Sequence, residues 1–242
     1  MLNNVFRPFE LIHGEISSVF DESWPTNLSG WNNGVLELRD DGTHFGFVHD
    51  GSATLDTSAG SFELKEKMYF VVPRSARISG SGRGIVVTSV GYHGLFMLGG
   101  PIEGTGRLRY IDGCTDTLLI PPTMSGDPCF NALYFPAHIS QTAHTHPSSR
   151  VGIVASGSGE CHTSEGVHSL LPGVVFIIQP EGLHSFTTNQ DELVVIAFHP
   201  DSDFGPTDQA HPMINRTIVD GVPASQLESI QTPGGSENGI PE

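Results

Sequence analysis

The chain has 242 residues and a formal net charge of −16, from 11 basic and 27 acidic residues. Such an acidic surface repels phosphate backbones and anionic membranes, so we expect neither nucleic acid nor a membrane as partner. The length suits one large β domain or two small ones. The 29 glycines and 17 prolines are typical of many short strands and tight turns, which argues against an all-helical fold.

Signals for export, membrane insertion and disulfide formation are lacking in the sequence. No basic segment followed by an apolar stretch occurs near Met1, and no apolar run approaches the roughly 20 residues that cross a bilayer. Cys114, Cys129 and Cys161 are widely spaced and odd in number, which favours neither a disulfide framework nor a thiolate metal site. We therefore predict a cytoplasmic protein.

A faint internal repeat runs along the chain. Residues 44–64 align with residues 150–170 at a constant offset, and Gly51 falls on Gly157. Each copy alternates apolar stretches with glycine or proline turns, which predicts short antiparallel strands. Duplication of such a unit predicts an all-β protein with two barrels in tandem.

The repeat also predicts a domain organisation. We expect an N-terminal barrel over residues 1–120, a C-terminal barrel over 121–205 and an extension over 206–242. The proline-rich run at residues 121–128 (PPTMSGDP) is a plausible connector. The extension is polar and rich in Gly, Pro and Ser near its end, and we expect it to be mobile or draped over the surface.

Three histidines form the main candidate site. His144 and His146, two residues apart on a strand, project to the same face because side chains alternate with period two. His184 follows a Pro-Glu-Gly turn that could return the chain alongside them. Three neutral nitrogen ligands suit Fe, Mn, Ni, Cu or Zn and leave coordination positions open. The alternative is a set of hydrogen-bonded histidines in a protein that has lost its metal.

These histidines lie within a longer pattern that resembles the two motifs of the cupin superfamily. The first motif closes on a glycine after a His-x-His pair, and the second runs Gly, Pro-x-Gly, His and Asn. The matching residues are His144, Thr145, His146 and Gly157 in the first motif, and Gly173, Pro180, Gly182, His184 and Asn189 in the second. The resemblance implies two jelly-roll barrels (double-stranded β-helices) over most of the chain up to about residue 200.

The sequence departs from the cupin pattern at two points. His138 replaces the glycine that opens the first motif, and Arg150 and Val151 occupy the positions of the glutamate that usually supplies a fourth ligand. Three histidines without a carboxylate are similar to the iron site of the cysteine, diketone and gentisate or salicylate dioxygenases among the cupins. The resemblance therefore implies Fe(II) as the favoured metal.

The N-terminal copy lacks the ligands. By the repeat offset, Leu38, Asp40 and Arg77 stand where the other copy has its three histidines. We therefore predict one metal ion per chain and a structural role for the first barrel, which covers the second or supports a homodimer.

Arg150 lies four residues after His146. On a strand without a bulge, its side chain would therefore face inward on the same side as that of His146. Two interpretations stay open. The planar guanidinium could clamp a substrate carboxylate, which makes Arg150 the candidate catalytic residue. It could equally form a structural ion pair with Glu160 or Glu181, because an unpaired buried charge is costly.

The leading functional hypothesis is a metal-dependent dioxygenase that acts on a small organic acid and has Phe176, Ile178 and Phe186 as a dry apolar wall. A metal-dependent isomerase or lyase is the second hypothesis, and a non-catalytic small-molecule-binding cupin is the third. The remaining histidines are expected on surfaces or strand edges, in particular His162, His168, His199 and His211.

Overall fold

The computed structural model describes residues 4–19, 23–202 and 217–230. The chain divides into two compact units, residues 1–203 and 204–242. The described residues are nearly all in strands and loops, as predicted, with 3-10 turns at Ile111–Gly113, Ala224–Gln226 and Glu228–Ile230. No helix in these ranges is both long and apolar enough to cross a membrane.

Twenty strands are present in the described ranges. In chain order they are β1 (Phe6–Phe9), β2 (Gly14–Val19), β3 (Thr26–Leu38), β4 (Gly42–Asp50), β5 (Ser52–Thr57), β6 (Gly60–Lys65), β7 (Tyr69–Pro73), β8 (Ala76–Val90), β9 (Met97–Gly99), β10 (Leu108–Arg109), β11 (Thr115–Ile120), β12 (Cys129–Phe135), β13 (Arg150–Gly157), β14 (Gly159–Thr163), β15 (Gly166–Leu170), β16 (Val175–Ile178), β17 (His184–Thr187), β18 (Leu193–His199), β19 (Ile218–Val219) and β20 (Val222–Pro223).

The pairing order of the strands repeats in the two halves of the first unit. The first half has the order β2-β3-β8-β4-β7-β9, and β5 joins both β6 and β8. The second half has the order β11-β12-β18-β13-β16-β1 within its main sheet, with β15-β14-β17 as a smaller sheet. The order β3-β8-β4-β7 of the first half thus corresponds to the order β12-β18-β13-β16 of the second.

The internal repeat is also visible in side-chain packing, at a pair of equivalent glycines. A Cβ built on Gly46 would lie 2.0 Å from Cζ of Phe70, and one on Gly152 would lie 2.3 Å from Cζ of Phe176. Each phenylalanine belongs to the strand that pairs with the glycine, β7 or β16. Glycine at these positions lets an aromatic ring lie flat over the neighbouring strand, and any larger residue would displace it.

Strand pairing crosses the predicted division at residue 120. At the N-terminus, β1 pairs with β16, so that Phe6 lies opposite Ile178 in the second half. Strands β10 and β11 also join that sheet. Residues 121–128 connect β11 to β12, which are antiparallel neighbours, so this run is a loop within the second half and not a connector between barrels.

The predicted C-terminal extension is described only in part. Residues 206–216 and 231–242 lie outside the described residues, and the expectation of a mobile or draped tail falls largely on them. Within residues 217–230, β19 and β20 form a two-stranded antiparallel pair that is followed by the two short 3-10 turns.

The two halves share one apolar core between their main sheets. Phe45 and Phe47 of β4 belong to the same buried cluster as Val151 and Ile153 of β13. The Phe45 and Phe198 rings are 5.0 Å apart. Full burial of each such side chain contributes about 1.5–3 kcal/mol. Because side chains alternate, the opposite face of each sheet is left to line the interior of its own barrel.

We predict that the three thiols are unreactive in the folded protein. Cys114, Cys129 and Cys161 are free and buried. Burial raises the pKa of Cys129 and Cys161 to about 12 and that of Cys114 to about 11. Because only the thiolate reacts, a disulfide-exchange reagent at pH 8 should label none of them in buffer and all three in denaturant. Rapid labelling of the native protein would contradict the packing described.

Candidate metal centre

The structure brings the three predicted histidines together at one end of the second barrel. His144, His146 and His184 each offer a nitrogen, and these atoms all lie within 4.8 Å of one another. Reciprocal backbone hydrogen bonds join His144 and His184, with N···O distances of 2.9 and 3.0 Å. His184 begins β17, while the other two lie in the segment before β13. The pairing of the two segments therefore supports the convergence of the rings.

Two of the imidazoles are held in the tautomer that metal binding requires. Nδ1 of His144 lies 2.9 Å from the carbonyl oxygen of Thr142, and Nδ1 of His184 lies 2.8 Å from that of Gly182. A carbonyl oxygen only accepts, so each Nδ1 carries the proton and donates it. Each Nε2 consequently keeps a lone pair, and the backbone bond orients its ring. This donor set fits a divalent transition metal.

Burial also favours the neutral form of the histidines. It lowers the pKa of His146 to about 3 and that of His184 to about 4, and the positive charge of Arg150 acts in the same direction. Neutral imidazole is the form that coordinates metal. Both side chains therefore need no deprotonation at neutral pH before they bind an ion.

The histidines open into a small cavity of about 30 Å³. Phe176, Ile178 and Phe186, predicted as an apolar wall, all line it. The other lining residues are Tyr110, Leu133, Phe135, Gln141, His144, His146, Arg150, His184, Val195, Ala197 and His199. The cavity is therefore largely apolar, with a few polar groups that converge near the imidazoles.

His199 was expected on a surface or strand edge, and this expectation was wrong. Its ring lines the cavity, with its centroid 6.3 Å from that of His146. Burial lowers its pKa well below the ordinary value. The sequence could have predicted this position, because period-two alternation places Val195, Ala197 and His199 on one face of β18. The cavity residues Tyr110 and Gln141 lie in loops, where no alternation in the sequence could have identified them.

The other histidines lie away from the triad or outside the described residues. Nε2 of His162 is 2.9 Å from the Thr187 hydroxyl, and the His168 ring stacks on Phe6 with centroids 4.6 Å apart. His211 falls outside the described residues. His138 has a positive φ of 64°, which explains why the cupin pattern has glycine at this turn.

Arg150 faces the cavity, as its parity predicts, and is only 9% exposed. Its Nη1 donates to the Ser148 hydroxyl at 2.6 Å and to the carbonyl oxygens of Ser148 and Ser149, both at 3.1 Å. The Asp201 carboxylate lies 3.8 Å from the same nitrogen and accepts a hydrogen bond from the Ser148 hydroxyl. The guanidinium is thus anchored on one side while its side chain lines the cavity.

The predicted ion pairs of Arg150 with Glu160 or Glu181 are not those observed. Glu160 lies in β14 of the smaller sheet, where its carboxylate is 3.2 Å from Nε2 of His162. Glu181 accepts a hydrogen bond of 3.3 Å from the Thr145 hydroxyl at the exposed turn. The observed anion is Asp201, which the fold brings close from just after β18.

His44, one of the two buried histidines of the first half, is bonded differently from the triad. His44, which aligns with Arg150 in the repeat, has Nε2 2.8 Å from the carbonyl oxygen of Arg39 and Nδ1 2.8 Å from the Thr88 hydroxyl. Both ring nitrogens are therefore hydrogen-bonded. At the ligand-equivalent positions, Arg77 pairs with Glu37 at 3.2 Å and Asp40 with Arg74 at 3.8 Å. Across the described ranges, the triad of the second barrel is the one group of three or more clustered metal-ligating side chains.

Comparison with known proteins supports the fold. Residues 126–205 match the model of the AraC-like ligand binding domain. A cupin 2 conserved barrel domain protein from Leptotrichia buccalis superposes with a TM-score of 0.59 at 10% identity, over 81% of this chain and 97% of that one. Protein Ylba from E. coli gives a TM-score of 0.60 at 15% identity, over 84% and 93% of the two chains.

A third similar structure is an enzyme. Salicylate 1,2-dioxygenase from Pseudaminobacter salicylatoxidans superposes with a TM-score of 0.55 at 11% identity, over 72% of this chain and 70% of that one. No curated protein sequence matches the chain significantly. At these identities the structural likeness establishes the cupin fold and leaves the activity to be argued from the site.

We predict that acid destabilises the metal-free protein. Burial lowers the pKa of His44, His49, His146, His184 and His199. The unfolded chain binds protons at these side chains below about pH 6.5 more readily than the folded protein does, so stability falls as pH falls through this window. His146 and His184, whose folded-state pKa values are about 3 and about 4, should each cost about 1 kcal/mol between pH 7 and 5.5.

The measurement is thermal melting in the presence of chelator. Tm should fall by at least about 4 °C between pH 7 and 5.5, since 1 kcal/mol shifts Tm by about 2–4 °C in a chain of this size. Between pH 7.5 and 8.5 these histidines are neutral in both states, and that range serves as the control. A Tm that is constant or rises towards pH 5.5 would contradict the burial of neutral imidazoles.

Proposed function

We propose that this chain is a metal-dependent cupin enzyme that acts on a small organic acid, and specifically a dioxygenase with a three-histidine Fe(II) site. The observation that carries the proposal is the convergence of His144, His146 and His184 at a largely apolar cavity, without a carboxylate in the group. Three neutral ligands leave positions for substrate and oxygen.

The cavity residues have three separate roles in this function. The three histidines would hold the metal, which when bound supplies open coordination positions and redox chemistry. Phe176, together with the other apolar side chains of the wall, excludes water from the cavity. Arg150 contributes a positive charge on that wall, which attracts an acid and orients its carboxylate.

A non-catalytic ligand-binding role is the second candidate. It is favoured by the match of residues 126–205 to the AraC-like ligand binding domain. The two functions use the same cavity and differ in turnover. Oxygen uptake with a panel of carboxylic and phenolic acids separates them, and an anaerobic assay separates a dioxygenase from a metal-dependent isomerase or lyase.

We predict about one metal ion per chain in protein purified without chelator. His144→Ala, His146→Ala and His184→Ala should each lose most of the metal, because each residue is one of only three protein ligands. Metal content is measured by elemental analysis. His93→Ala, at a histidine outside the cavity lining, is the matched control and should keep its metal.

Two results would count against this site. Two metal equivalents per chain would require a second site outside the triad. Full metal content in any of the three alanine variants would require a site elsewhere in the chain.

We predict that Arg150→Ala keeps its metal but binds an acidic ligand more weakly, by about 2–5 kcal/mol. A guanidinium cannot coordinate the metal, so the metal content should not change. Removal of the partly desolvated positive charge weakens the binding of the anionic ligand. Arg150→Lys should recover only part of the loss, because an ammonium cannot reproduce a two-pronged contact. Arg109→Ala removes the same charge at an exposed position and is the control.

Arg150 also bonds to Ser148 and lies near Asp201, so the alanine variant should melt at a lower temperature as well. Calorimetric titration and thermal melting on the same proteins distinguish the two effects. A lower Tm with unchanged binding would assign Arg150 a structural role alone, and unchanged binding and Tm would remove both roles.

A further inference from the structure

Asp112 lies outside the cavity lining but is bonded to the segment that carries the first two histidines of the triad. It occupies the turn Ile111–Gly113 between β10 and β11. Its Oδ2 accepts the Thr142 N–H at 2.6 Å, and its Oδ1 accepts the Thr142 hydroxyl at 3.2 Å. The Thr142 carbonyl oxygen in turn accepts the Nδ1 proton of His144 at 2.9 Å. One side chain thus connects the β10–β11 turn to a histidine of the candidate metal centre.

His184 is held in the same way, but by backbone atoms alone. The Gly182 carbonyl oxygen accepts the Nδ1 proton of His184, and the Gly182 N–H donates to the carbonyl oxygen of Gln179 at 3.1 Å. In both cases the residue two positions before the histidine is fixed through its own N–H. The acceptor for Thr142 is, however, a carboxylate 30 positions away. The orientation of the His144 ring therefore depends on a side chain that a substitution can remove.

The backbone of Asp112 is in the left-handed region, with φ 54° and ψ 33°. Glycine is the residue that adopts this region at least cost, and Asp and Asn do so more readily than most others. The turn is closed by two backbone bonds, from the Tyr110 N–H to the Cys114 carbonyl at 2.9 Å and from the Cys114 N–H to the Ile111 carbonyl at 3.0 Å. Glycine would suit this turn but could make neither side-chain bond to Thr142. An aspartate here indicates that the carboxylate has a use beyond the turn itself.

We propose that Asp112 is a positioning residue of the metal centre. It holds Thr142 so that the carbonyl oxygen of this residue keeps the His144 proton on Nδ1 and leaves Nε2 free to coordinate. Its carboxylate is bonded to Thr142 and does not belong to the ligand group of the triad. Outer-shell partners of this kind fix the tautomer and the ring orientation, and their loss typically weakens metal binding by about 10–100-fold. The inference rests on the metal site of the proposed function, whichever reaction that site catalyses.

Two variants of Asp112 remove the bonds in steps. Asp112→Asn tolerates the same backbone conformation and keeps one side-chain oxygen, so it can retain one of the two bonds. Asp112→Gly loses both bonds while it suits the backbone. Affinity for Zn²⁺, the probe, is measured by competition with a chelator. It should fall by about tenfold in Asp112→Gly, the lower end of the range for an outer-shell partner, and by less in Asp112→Asn.

A double-mutant cycle tests whether Asp112 acts through His144. If it does, Asp112→Gly should not lower the residual Zn²⁺ affinity of His144→Ala any further. Glu181→Gln is the control for charge, because it removes a carboxylate at the exposed turn beside the triad and keeps an oxygen for the Thr145 hydroxyl. It should change Zn²⁺ affinity by less than about threefold, as expected for an exposed charge.

The metal-free protein gives a readout that a purely structural role of Asp112 would not change. At pH 8 an ordinary imidazole is neutral, and its ¹⁵N chemical shifts identify the protonated nitrogen. In the wild type, His144 and His184 should both be protonated on Nδ1. Asp112→Gly should mix the two tautomers of His144 and leave His184 unchanged. Its Tm should stay within about 4 °C of the wild type, because relief of the left-handed conformation offsets the loss of two exposed bonds.

Weaker Zn²⁺ binding together with tautomer mixing confined to His144 supports the inference. Unchanged affinity or unchanged tautomers in Asp112→Gly overturn it, and so does an equal loss of affinity in Glu181→Gln. A further loss of affinity when Asp112→Gly is added to His144→Ala also overturns it. If the wild type binds no metal at the triad, the proposed function fails, while the His144 tautomer still decides whether Asp112 positions this ring.

Discussion

The packing of two sheet faces against each other is the constraint on which the rest of this structure depends. In β13, Val151 and Ile153 are buried in the core that the two halves share, so Arg150 and Gly152 are directed into the second barrel. The same alternation governs β16 and β18. A slip of one residue in any of these strands would exchange the core face for the cavity face.

The shared core also explains why a half without metal ligands is retained in the fold. The first barrel supplies an apolar surface, led by Phe45 and Phe47, that completes the burial of the second. The N-terminal strand β1 strengthens the association by pairing with β16, and Phe6 stacks on Phe176 with centroids 5.2 Å apart. An aromatic ring of the cavity wall is thus supported by the first residues of the described chain.

The ability of the second barrel to bind metal depends on the hydrogen-bond partners of its histidine ring nitrogens. His144 and His184 direct their Nδ1 protons to backbone carbonyls, which preserves their Nε2 lone pairs. His44 of the first barrel has both ring nitrogens bonded and offers none. Two equivalent barrels can therefore differ in metal binding through hydrogen bonding as well as through the residues at the ligand positions.

Local sequence determined the features that depend on spacing along one strand or turn. The i, i+2 pair of His144 and His146, the third histidine after a Pro-x-Gly turn, and the apolar wall were all predictable, because period-two alternation needs no knowledge of partners. The duplicated strand order was predictable from matched glycines. His199 was accessible by the same alternation along β18.

Tertiary structure alone decided the features that join distant segments. The anion beside Arg150 is Asp201, 51 positions away along the chain, and not either glutamate nearer in sequence. The orientation of the Gln141 amide depends on the Phe186 N–H, and β1 joins a sheet more than 100 residues away in sequence. Hydrogen bonds and ion pairs of this kind depend on which strands become neighbours, and strand order in a barrel is set by the joint burial of all its faces.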